Sequence, residues 1–127
     1  MPEQIALIGR LGRAQLDQTL RRIARRMGRG LPQPIPLDEV VVPDTPVALA
    51  AAALVGSAGP PVLVAHCHRS YLFGALLGTR DRLHWDPEVL YVAAMLHDLG
   101  LTDVAEGTGP FEQRGATAAQ SWLREQG

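Results

Sequence analysis

The sequence predicts an all-α domain, and three observations carry that expectation. Helix start signals recur along the chain, clearest where Thr45 precedes Pro46 and where Asp86 precedes Pro87. Apolar residues repeat at helical spacing, as in Leu16, Leu20, Ile23, Ala24 and Met27. β-like runs are nearly absent: Val40-Val41-Val42 stands alone, and Pro43 ends it.

A chain of 127 residues holds one small domain at most, and with 46% hydrophobic residues it can build a core. A net charge of -1 gives no whole-chain argument for nucleic acid or membrane. Every basic residue is arginine, and most lie before Gly30. Cys67 is the only cysteine, which excludes an internal disulfide and a cysteine-built zinc site and fits a reducing compartment. No apolar stretch reaches bilayer length, and the N-terminus lacks the pattern of a secretory signal. The expectation is a cytoplasmic protein without a membrane span.

Residues 1–30 read as a basic amphipathic helical segment, with Arg21, Arg22, Arg25, Arg26 and Arg29 around the apolar stripe. Such a run is usually a solvated helix face. Its rival reading is a surface anchor for anionic lipid or nucleic acid, but no nucleic-acid partner is expected. Residues 31–44, where Pro32, Pro34 and Pro36 alternate, read as an extended connector. The domain then runs over 45–127. Thr45 caps an alanine-rich helix over Val47–Val55, punctuated by Gly56 and Gly59. Pro60-Pro61 opens a longer helix, roughly Val62 to Leu77, that stops at Gly78. A polar loop with Arg80, Asp81, Arg82 and His84 follows, and His84 reads as a surface residue.

The next helix has the strongest start. Asp86 is the N-cap, Pro87 sits at N1, Glu88 adds a negative charge to the first turn, and Trp85 can staple onto Leu90. The pattern carries this helix to about Leu99, with Gly100 closing it at C′. A glycine-rich loop leads to a last helix that begins near Phe111.

The segment Val89–Leu96 is apolar nearly all round, so its helix should be buried. Into its end the sequence places His97-Asp98. A carboxylate in such surroundings is costly unless it is paired, hydrogen-bonded or bound to a metal. Adjacent residues diverge by about 100° on a helix, so one cation between His97 and Asp98 can meet both side chains. The bland alternative is a histidine favoured by the C-terminal dipole beside a solvated aspartate. A further ligand has to come from the preceding helix, where His66 and His68 are the candidates. They are about 200° apart, and spacing alone does not choose between them.

The ordered set of motifs resembles the HD superfamily of metal-dependent phosphohydrolases. It comprises His66-Cys67-His68-Arg69-Ser70-Tyr71, then Asp86–Tyr91, then Ala93-Ala94-Met95-Leu96-His97-Asp98-Leu99-Gly100-Leu101. Pro43-Asp44-Thr45-Pro46 and Phe111–Ala116 are similar to its cyanamide hydratase-like branch. The likeness spans about Asp38 to Leu123 and leaves out the basic N-terminal segment. It implies an HD-like helical bundle with His66, His97 and Asp98 as ligands of a divalent ion, zinc, iron or manganese. His66 is preferred because Arg69 and Tyr71 follow it at the family's spacing, while His68 falls at a variable position. The family's late aspartate has no match, so the bundle is expected to be C-terminally truncated, which favours a surface for self-association. Asp103 and Glu106 are weak substitutes for that aspartate.

A ligand set of two imidazoles and one carboxylate leaves coordination positions open for water and substrate. The resemblance implies hydrolysis of phosphoesters in most of the superfamily and hydration of a small nitrile-like molecule in the nearest branch. Besides Asp98, the catalytic candidates are Arg69, which braces a carboxylate or orients an anionic substrate, and Glu112, which lines the pocket or carries a proton. A plain N-terminal helix acid is an equal reading of Glu112, and Cys67 reads as a buried thiol rather than a nucleophile. The expected activity is therefore a metal-dependent hydrolase or hydratase acting on a small molecule. The alternative is a metal-binding or catalytically inactive form.

Overall fold

Proline sets where each helix begins. In the computed structural model, which describes residues 37–127, the four α-helices are α1 (Pro46–Ala58), α2 (Pro61–Arg80), α3 (Pro87–Leu96) and α4 (Phe111–Glu125). The first three start on a proline, and Pro110 directly precedes the fourth. At that position the missing N–H is one the helix would leave unpaired in any case, and the fixed φ suits the first turn. Side-chain caps complete two of the starts. Thr45 Oγ1 accepts from Ala48 N at 3.4 Å, and Asp86 Oδ1 accepts from Glu88 N at 2.8 Å and Val89 N at 3.1 Å. No strand occurs among the described residues, and the all-α class expected from the sequence is the one observed. None of the described helices is long and apolar enough to cross a membrane. The basic segment over 1–30 lies outside the described residues.

Three local expectations are corrected. Gly56 and Gly78 do not end their helices: α1 continues to Ala58 and α2 to Arg80. At Gly56 a side chain would meet open space, so the glycine costs helix propensity and nothing more. Gly78 instead makes room, because a Cβ there would lie 2.7 Å from the Trp85 indole nitrogen. The tryptophan that precedes the α3 cap thus seats on the end of α2. The helix bearing the His-Asp pair is also shorter than its apolar run suggests. It stops at Leu96, and a 3₁₀ turn, Leu99–Leu101, follows. Gly100 lies inside that turn rather than at a left-handed C′ position. Its backbone meets α4 so closely that a Cβ would fall 1.8 Å from the Phe111 carbonyl oxygen. Gly115 answers from α4, where a Cβ would come within 2.6 Å of Gly100 N.

The passage read as an extended connector also carries structure. A 3₁₀ turn spans Leu37–Glu39, Val40 packs against the core, and the Val41 carbonyl accepts the Tyr71 hydroxyl.

The core centres on α3, which packs against both α1 and α2, while α4 rests on the second 3₁₀ turn. Ala48, Ala51 and Val55 come from α1, Leu63, Cys67, Tyr71 and Ala75 from α2, and Tyr91, Met95 and Leu96 from α3. The alanines let the α1 backbone come close, and the tyrosines fill the opposite side. Tyr71 and Tyr91 meet edge to face, with ring centroids 4.9 Å apart. Fully burying a side chain such as Met95 or Leu99 contributes about 1.5–3 kcal/mol.

Candidate metal centre

Two elements present the expected donors. His66 stands on α2, one residue before the buried Cys67, and its own ring is partly open to solvent. His97 and Asp98 occupy the bend between α3 and the second 3₁₀ turn. The chain leaves the α-helix at Leu96, Asp98 adopts φ -106° and ψ 19°, and its carbonyl accepts from Leu101 N at 2.9 Å. That bend turns both side chains toward α2.

Three atoms converge there at nearly equal separations. His66 Nε2 lies 3.2 Å from His97 Nε2 and 3.3 Å from Asp98 Oδ2, and His97 Nε2 lies 3.2 Å from Asp98 Oδ2. Nitrogen and oxygen donors held about 2.1 Å from one ion would be about 3.0 Å apart at right angles and about 3.4 Å apart at the tetrahedral angle. The observed spacings fall between those limits. The three donors thus have the spacing that ligands of a single ion can adopt.

Hydrogen bonding to His97 makes the case chemical as well as geometric. Its Nδ1 is 2.7 Å from the Ala94 carbonyl oxygen, which has no proton to give, so Nδ1 carries the hydrogen. A neutral His97 then points the Nε2 lone pair at the Asp98 carboxylate and the second imidazole. Three donor atoms at 3.2–3.3 Å are spaced to share a proton or a cation. An outer hydrogen bond that fixes the tautomer of a ligating histidine is a recurring feature of metal sites.

The other candidates fall into place around this cluster. His68 points elsewhere, its ring 6.2 Å from that of Tyr91, and it is not part of the converging group. Asp103 and Glu106 are exposed in the loop and do not join it. Cys67 is buried, and burial together with the nearby charge of Asp98 pushes its thiol pKa up, which makes it a poor nucleophile. His84 is exposed.

Arg69 does not brace Asp98: no ion pair joins them within 4.0 Å, and among the described residues Arg69 has no ionic partner. It is exposed on the rim of a shallow depression that also includes His66, Asp98, Pro60, Val62 and Leu101. Glu112, in the first turn of α4, lies on the other side, where it and His97 border a groove of about 420 Å³. The groove and the Ala94 carbonyl were both missed in the sequence. The first arises between helices distant in sequence. The second had a signal in the three-residue spacing from Ala94 to His97, since side chains at helix ends often return to such carbonyls.

Comparison with family models, with curated proteins and with solved structures gives no match to this chain.

Proposed function

We propose that this chain is an HD-type metal-dependent hydrolase or hydratase acting on a small molecule. The observation that carries the reading is the convergence of His66, His97 and Asp98 with the His97 tautomer fixed by Ala94. These three residues would hold a divalent ion such as zinc, iron or manganese through His66 Nε2, His97 Nε2 and Asp98 Oδ2. The ion would supply Lewis acidity, making water a competent nucleophile near neutral pH and polarising the substrate.

The protein's own groups have separable tasks in this reading. The Ala94 carbonyl holds the His97 ring so that Nε2 remains a donor. Arg69, unpaired on the rim beside His66 and Asp98, is placed to attract and orient an anionic substrate group such as a phosphoester. The Glu112 carboxylate, on the groove side of His97, is available to hold or release a proton.

The test is metal analysis of the purified chain, combined with turnover assays on phosphoesters and nitriles. About one ion per chain that is lost in His97→Ala, together with turnover, is the expected result. A chain that takes up no divalent ion and turns over neither substrate class sinks the proposal. A second reading, metal binding without catalysis, draws on one observation: neither Arg69 nor Glu112 bonds to the donor cluster. Stoichiometric metal without turnover would select it.

A further inference from the structure

Two hollows border the donor cluster, and they differ in what else they hold. The groove between α3 and α4 meets the cluster only through His97. The depression over α2 includes His66 and Asp98 together with Arg69, in a volume of about 470 Å³. Val62, His66 and Arg69 recur at helical spacing and share one face of α2. Leu101 joins them from the second 3₁₀ turn, which begins directly after Asp98. Val62 is 71% exposed and Leu101 56%, so the hollow that carries the charged groups also presents open hydrocarbon. Among the described residues Arg69 has no ionic partner, which leaves its guanidinium to a ligand. Apart from His66 the lining has no ring on which a base could stack, and it has no hydroxyl or amide side chain to meet a sugar.

From this juxtaposition we infer that the depression over α2 is the substrate site, and that its substrate is a phosphate monoester of a small aliphatic alcohol. The inference rests on the proposed function and names the substrate class for it. The phosphoryl group meets Arg69, whose planar fork matches two of its oxygens. The alkyl group lies on Val62 and Leu101, where each methylene withdrawn from water adds to binding. In the reaction, water forms the new bond to phosphorus, the ester P–O bond breaks, and the alcohol departs with one of the water's protons. A nucleoside monophosphate is a poor ligand here, because its base and ribose hydroxyls would give up water to a wall that returns no hydrogen bond. An uncharged nitrile makes no use of Arg69, so the depression favours the ester over the nitrile.

The experiment is calorimetric titration of the full chain, first with zinc, iron(II) and manganese(II) in separate runs. The chain loaded with the tightest-bound ion is then titrated with methylphosphonate, n-butylphosphonate and the phosphonate analogue of adenosine 5′-monophosphate. Phosphonates keep the charge of the ester but have no ester bond to break, so binding is read without turnover. n-Butylphosphonate is expected to bind about tenfold more tightly than methylphosphonate, as suits methylenes covered on one side only, and the nucleotide analogue no more tightly than methylphosphonate. Arg69→Gln should weaken both alkylphosphonates about tenfold and keep their ratio. Val62→Ser combined with Leu101→Ser should abolish the chain-length preference while ion uptake stays at the wild-type level. Ala93→Leu fills the groove beyond His97 and should alter neither alkylphosphonate. A chain that takes up none of the three ions overturns the hydrolase reading and this inference with it. Ion uptake with equal binding of the two alkylphosphonates, with tighter binding of the nucleotide analogue, or with a loss caused by Ala93→Leu instead of the paired serines overturns the substrate assignment alone.

Discussion

Tyr91, Met95 and Leu99, spaced four residues apart along α3 and the turn that follows it, are exposed by no more than 4%. Val89, Ala93 and His97 have the same spacing on the other side and are all open, with Val89 at 65%. Both rows are largely apolar, so composition does not separate them. Partners do. The first row is covered by α1 and α2, whose alanines and Tyr71 fit around it, while the second faces the groove toward α4. An apolar run predicts that a helix will be covered; which of its sides is covered depends on the elements that return to it. Here the open side leads to the candidate metal centre.

The largest change should come from the contact that brings α4 to the end of α3. Gly100→Ala places a methyl group inside the Phe111 carbonyl, a backbone clash that no rotamer relieves. We expect a loss of more than about 3 kcal/mol, or failure to fold, in urea denaturation. A wild-type midpoint would mean that α4 does not seat on this turn.

The two rows themselves are compared by truncation. Met95→Ala opens a cavity in the covered side and should cost about 2–5 kcal/mol, while Val89→Ala on the open side should stay within about 0.5 kcal/mol. Equal losses would erase the distinction between the sides.

Tyr71→Phe tests how firmly the residues before α1 are held to the covered side. It removes the hydroxyl donated to the Val41 carbonyl and leaves the ring against Tyr91, so about 1 kcal/mol should be lost. No change in melting temperature would show the link to be dispensable.

The smallest effect is alkaline. Burial pushes Cys67, Tyr71 and Tyr91 up from their ordinary values, so the folded chain keeps these protons after the unfolded chain has released them. Stability from this source is complete below the ordinary thiol range, near about pH 8.5, and declines as pH rises through the thiol and phenol ranges. Melting temperature measured from neutral to alkaline pH should fall, and Cys67→Ala should remove the earliest part of that fall. A flat profile would argue that these groups are better hydrated than their positions indicate.

Legibility in the sequence followed the range of the interaction involved. The Thr45 and Asp86 caps were readable because a cap and the amides it satisfies lie within three residues of one another. The all-α class was readable from the proline starts and the helical repeats. Gly78 and Gly100 were misread because a glycine that makes room for a distant group looks, locally, like one that ends a helix. Spacing left His66 and His68 undecided, since their difference appears only when the bend at His97-Asp98 comes back against one face of α2. The exposure of Arg69 and the groove beside Glu112 both follow from how helices pack, and no local pattern records that.

The crossing of Gly100 and Gly115 has a consequence for how the chain can vary. It fastens the two ends of the intervening segment directly to each other, and Arg114 Nη1 adds a second tie at 2.5 Å to the Ala105 carbonyl. The stretch after Ala105 is left as a loop, with Gly107 at φ 120° and Gly109 at φ 105°. Because the anchor lies outside that loop, its length is uncoupled from the placement of α4. Lengthening a flexible loop from such fixed ends costs little, about 0.6 kcal/mol for each doubling. Residues 106–109 are thus where the molecule can accept inserted sequence, or a reporter, without moving α4.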